Sequence, residues 1–155
     1  MSNSFSNVAK PEKRIVKFTV EKDTIRFMSI ELSTCVEVSK GDLTIDFNGD
    51  KSLLNKKNEH KIISMDDIMK TEITKTTVVS VYDAIFAVIA VLIFLLNPGN
   101  FLYSAILMLV VYLRTKYNCL KIISNNNTTD IIFDPVNEQP KIAELQEIIN
   151  NHKRY

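Results

Sequence analysis

From Ala84 to Leu113 the chain carries no charged side chain, and the run is folded in half at Asn97-Pro98-Gly99-Asn100. Proline fixes φ and cannot extend a preceding helix, and glycine tolerates positive φ. The tetrapeptide therefore reads as a turn between two apolar arms, Ala84–Leu96 and Phe101–Leu113. Neither arm has a polar stripe. Helices that are apolar on every side are buried in lipid or in protein, not laid along a wet surface. The expectation is a helical membrane hairpin set into an otherwise polar chain.

The first charges outside the arms are Asp83 and Arg114, equally far from the turn along the sequence. In an antiparallel hairpin they emerge at one depth, where they can pair at the membrane boundary. Tyr82, Tyr112 and Tyr117 fall near the same level, as an aromatic belt does. Lys116 and Lys121 stand beyond one arm, Lys70 and Lys75 beyond the other, and the turn carries no charge. The positive-inside rule then expects a two-pass protein of the cell membrane with both termini cytoplasmic. Each arm gives about 20 Å of helix, against about 30 Å of hydrocarbon. Three arrangements answer that shortfall. A short spanning hairpin runs over residues 78–117, with Asp83, Arg114 and Lys116 snorkelling. A re-entrant wedge enters one leaflet and returns. A third hairpin is buried inside a protein oligomer. The spanning form is the expectation.

The remainder has ordinary soluble composition, and a net charge of +1 gives no bulk reason to bind nucleic acid. Residues 1–14 are a flexible polar N-terminus ending in Lys10, Lys13 and Arg14, without the apolar centre of a secretory signal. Residues 15–155 read as one domain. Val16, Phe18 and Val20 alternate with polar residues, Glu21-Lys22-Asp23 reads as a turn, and Ile25 and Phe27 open a second strand. Leu43, Ile45 and Phe47 alternate cleanly, and Ile62-Ile63 and Ile68–Val79 supply further strands. Beyond the hairpin, Tyr117–Ser124 and Thr128–Phe133 flank an Asn125-Asn126-Asn127 turn. Ile142, Leu145, Ile148 and Ile149 then recur at helical spacing, behind an Asn137 cap and Pro140.

That order resembles an uncharacterised bacterial pleckstrin-homology-like (PH-like) family, in which a two-helix transmembrane hairpin is inserted between strands. The resemblance spans about Lys40 to Tyr155. It rests on the strand Leu43–Phe47, the segment Ile62-Ile63-Ser64-Met65-Asp66-Asp67-Ile68, the hairpin, and the closing strands with the Ile142–Ile149 helix. It implies an α+β fold: an antiparallel PH-like sheet or partial barrel, a C-terminal amphipathic helix and an inserted helical membrane hairpin. It carries no catalytic residues.

No cofactor, metal or catalytic constellation is expected. His60 and His152 have no partner at ligand spacing, Cys35 and Cys119 stand far apart, and Gly41, Gly49 and Gly99 form no phosphate loop. Lys51, Lys56, Lys57 and Lys61 form a basic loop suited to anionic lipid heads. The expected function is a non-enzymatic membrane-anchored module that binds or scaffolds a protein or lipid partner. The alternative is an oligomer whose hairpins assemble as a pore or structural complex, helped by small residues such as Ala84, Ala87, Ala90, Ser104 and Ala105.

Overall fold

The computed structural model describes residues 13–22, 30–39, 41–54, 56 and 58–152. Expectations placed on residues 1–12, Asp23, Ile25, Phe27 and Lys57 lie outside these described residues. The protein is α+β, with two antiparallel sheets. Strands β1 (Arg14–Lys22), β2 (Ile30–Ser39), β3 (Asp42–Asn48) and β4 (Glu59–Ser64) form a four-stranded meander. A 3-10 turn, Met65–Asp67, leads into β5 (Ile68–Thr77). Then come helices α1 (Val81–Leu96) and α2 (Phe101–Arg114), strands β6 (Lys116–Ser124) and β7 (Thr128–Ile132), and helix α3 (Gln139–His152). Strands β5, β6 and β7 make the second sheet.

Alternation in β3 has its direct structural counterpart: Leu43, Ile45 and Phe47 are buried, and the residues between them are not. The turn before β3 uses Gly41 at φ +90°, a conformation that side chains other than glycine's resist. The expected turn at Glu21-Lys22 is replaced by strand, because both residues continue the β1–β2 ladder opposite Glu31 and Ile30.

The inner faces of both sheets and one face of α3 share a single core. Phe18, Val36, Leu43 and Ile45 come from the first sheet, Leu120, Ile122 and Ile131 from the second, and Ile142, Leu145 and Ile149 from the helix. A helix with one apolar face covers two apolar sheets and removes three surfaces from water together. Glu138 fixes how that helix starts. Its backbone carbonyl accepts from Ile142 N at 3.1 Å. Its buried carboxylate accepts from the backbone of Thr19 at 2.9 Å and of Asp134 at 3.0 Å. Lys141 is 3.3 Å away. Glu138→Ala strips two half-buried amides of a charged acceptor and is expected to cost about 2–3 kcal/mol in urea unfolding at unchanged m-value.

The hairpin departs from expectation. No helix among the described residues is long and apolar enough to cross a membrane. This overturns the transmembrane hairpin over 78–117 and, with it, the two-pass cell-membrane placement with cytoplasmic termini. The physical reason lies at the root. Val78 is buried in the body, and Ser80 caps α1, so the helix cannot begin before Val81. At the other end Thr115 terminates α2, and Lys116 and Tyr117 are already strand. The helices therefore have 16 and 14 residues, or about 24 and 21 Å.

Candidate functional site

The hairpin stands off the body. Within it only Asp83, Ala90 and Ser104 are buried. The two helices meet through small residues: Ser104 Oγ donates to the carbonyl of Ala90 at 2.7 Å, which satisfies both groups where the backbones come close. These two of the five small residues are thus committed within one chain. Around that seam the large apolar side chains point outward on every side, among them Val88, Leu92, Leu95, Phe101, Ile106 and Leu109. Leu96 at the tip is 85% exposed. An exposed apolar surface of this extent marks a place of contact.

At the tip, Asn97 Oδ1 accepts from the amide of Gly99 at 3.0 Å, and Pro98–Asn100 form a 3-10 turn. Gly99 is not in the left-handed region; among the described glycines Gly41 alone has positive φ. Pro98 and the Asn97 side chain make the turn without that freedom.

The root is built from a capping box. Ser80 donates through its backbone amide and its hydroxyl to Asp83 Oδ2, both at 2.8 Å, and Asp83 N donates back to Ser80 Oγ at 3.3 Å. Asp83, 1% exposed, thus lies beneath the helix and not at a wet boundary. Arg114 Nε lies 3.8 Å from Asp83 Oδ1, an ion-pair distance longer than a hydrogen bond. Tyr82 and Tyr117 pack against a second core cluster of Leu32, Phe47, Leu53, Val78, Cys119 and Ile132. Burial pushes the Tyr117 phenol far above its usual range, and the Asp83 carboxylate adds to the shift. Tyr112 is exposed, and the Lys116 ammonium lies 5.1 Å from its ring centroid while donating to Thr77 Oγ1 at 2.8 Å.

A backbone clasp ties this root to the loop between β3 and β4. Leu54 N donates to Val79 O, and Val81 N to Ser52 O, each at 2.8 Å. The clasp brings Lys51 and an exposed Leu54 beside the hairpin root. Lys56 is half-buried: its ammonium lies 4.9 Å from the Phe47 ring centroid and 3.4 Å from the carbonyl of Asp130. Lys61 pairs with Glu59 at 3.3 Å. The structure thus brings together Tyr82, Asp83, Arg114, Tyr117 and Lys116 at the root, sets Lys56 and Lys61 in one cleft, and leaves Lys51 on an exposed turn.

Sequence reasoning missed the Ser80–Asp83 box, although Ser-x-x-Asp before an apolar run is a helix-start signal. It also missed the clasp and the carboxylates of Glu138 and Asp130, which no local pattern reveals. Among the described residues no group of three or more His, Cys, Asp or Glu side chains could hold a metal ion. Cys119 is fully buried, which closes it to acylation. Burial, with the Asp130 carboxylate second, raises its thiol to about 11 from 9.0. A thiol held neutral by folding stabilises the protein fully below pH 9.0, and that contribution is lost as pH rises to about 11. At pH 8 a disulfide reagent is expected to label half-buried Cys35 first, and Cys119 only at the rate of global unfolding.

No family model, no curated protein and no solved structure matches this chain.

Proposed function

We propose that the protein is a non-catalytic module of PH-like build that attaches to a lipid surface by its helical hairpin, entering the acyl layer from one face without crossing it. The observation that carries this reading is the hairpin itself. Its outer surface is apolar on all sides, and Tyr112 and Lys116 stand together at its base. A single partner docked on one side would leave the other faces of the hairpin wet, whereas an acyl layer covers all of them at once. Helices of about 24 and 21 Å are too short for about 30 Å of hydrocarbon but long enough to pass the bilayer midplane. Aromatic and basic residues at the base suit the interfacial layer. The two meanders closed by a C-terminal helix support the PH-like part of the reading.

Flotation with phosphatidylcholine vesicles tests it. The full chain is expected to float with the vesicles. A variant with residues 81–114 replaced by a short Gly/Ser linker between Ser80 and Thr115 is expected to stay at the bottom while retaining its circular dichroism strand signal. A full chain that forms a discrete oligomer in buffer and ignores vesicles contradicts lipid attachment and favours hairpins packed between copies.

A further inference from the structure

We propose that the cleft between β4 and β5, beside the hairpin root, receives a phosphoester headgroup whose alcohol carries a hydrogen-bond donor; this rests on the lipid-surface reading. The two sheets are not hydrogen-bonded to each other along this seam, and the opening encloses about 340 Å³. Lys56, Lys61 and Lys121 line it with Thr76, Thr77 and Thr128. Two carboxylates, Glu59 and Asp130, stand among them, so the cations are in excess by one.

The cleft makes two separate chemical demands. The first is for an anion. The Lys56 ammonium has given up water and donates to a backbone carbonyl at 3.4 Å, and burial outweighs the neighbouring carboxylates in lowering its affinity for a proton. A phosphate in the cleft restores what that ammonium lost. The second demand is for a donor. Asp130 Oδ2 accepts from Thr76 Oγ1 at 3.0 Å, but the buried Oδ1 has no hydrogen-bond partner among the described residues. A phosphodiester whose alcohol carries no donor meets only the first demand. A phosphoglycerol or phosphoethanolamine group meets both, with its hydroxyl or ammonium on Asp130. Choline has a phosphate but no such donor.

The cleft is also at the right height. Thr77 lines it and accepts the Lys116 ammonium that follows α2, and α1 begins at Val81, four residues further on. A hairpin sunk to its root in acyl chains holds this opening at the level of the headgroups.

The full-length protein is floated with three kinds of vesicle: phosphatidylcholine alone, and phosphatidylcholine mixed with phosphatidylethanolamine or with phosphatidylglycerol. Partitioning about tenfold tighter onto the phosphatidylglycerol mixture than onto phosphatidylcholine alone is expected. A smaller gain is expected on the ethanolamine mixture, whose net charge equals that of phosphatidylcholine. Lys61→Gln with Lys121→Gln should erase both gains yet keep hairpin-dependent flotation on phosphatidylcholine, and Asp130→Asn should erase the ethanolamine gain. Equal partitioning on all three vesicles overturns the cleft proposal and leaves the lipid reading standing. Flotation on none of them removes the lipid reading. In that case saturable chemical-shift changes at Thr76 and Thr128 with glycerol 1-phosphate would keep the cleft as a site for a free phosphoester, and their absence would overturn it too.

Discussion

Leu92→Arg combined with Leu109→Arg is expected to abolish vesicle flotation while leaving the folded body intact. Both side chains project from the hairpin into open space, so neither arginine meets a packed neighbour. Exposed substitutions of this kind shift stability by about 0.5 kcal/mol or less. In an acyl layer the cost is several times larger. Each arginine near the middle of a helix costs about 2.5–3.5 kcal/mol to immerse. The pair therefore costs about 5–7 kcal/mol, a loss of more than a thousandfold in partitioning. Unfolding in urea measures the first quantity and flotation the second. Destabilisation with flotation preserved would mean that the hairpin packs onto protein and not lipid.

Asp83→Ala is expected to cause the largest loss of stability, about 3–5 kcal/mol, read as a fall in the urea midpoint. One carboxylate holds three features of the root together. It accepts from the Ser80 amide, it accepts from the Ser80 hydroxyl, and it balances Arg114. Alanine removes the carboxylate half of the capping box, leaves the amide and hydroxyl of Ser80 without that acceptor, and takes the carboxylate away from a largely buried guanidinium. Asp83→Asn keeps the shape and part of the cap, and should cost clearly less. Pairing Asp83→Ala with Arg114→Met should recover part of the loss, because the guanidinium that faced the carboxylate is then gone. If the double variant is no better than Asp83→Ala alone, the ion pair contributes nothing and the cap carries the effect.

Periodicity made much of this architecture legible. Leu43, Ile45 and Phe47 announce a half-buried strand, and Ile142, Leu145 and Ile149 announce a helix with one apolar face; each does what its spacing requires. The two helices of the hairpin were equally plain, because Pro98 and the charge-free arms permit little else. Where the helices end is something hydropathy does not show. Val78 is apolar but belongs to the body, and Ser80 with Asp83 starts the helix three residues later. The symmetric spacing of Asp83 and Arg114 predicts that they meet, and they lie 3.8 Å apart. Symmetry says nothing of burial, however, and the carboxylate is under the helix. The candidate cleft was half visible. Lys56 and Lys61 stand out as basic loop and strand residues, whereas Lys121, Thr76 and Asp130 reach the same opening only through β5–β6–β7 pairing, across dozens of residues of sequence.

The chain contains no tryptophan, so a single one introduced by Leu95→Trp or Phe101→Trp reports on the hairpin alone. Quenching of that tryptophan by lipids brominated at successive depths measures how far the hairpin enters. A blue-shifted emission, with strongest quenching from bromines near the end of the acyl chain and a tip that reagents on the far side of the vesicle cannot reach, is the expected result. Emission that is the same with and without vesicles, unquenched at every depth, contradicts attachment through the hairpin.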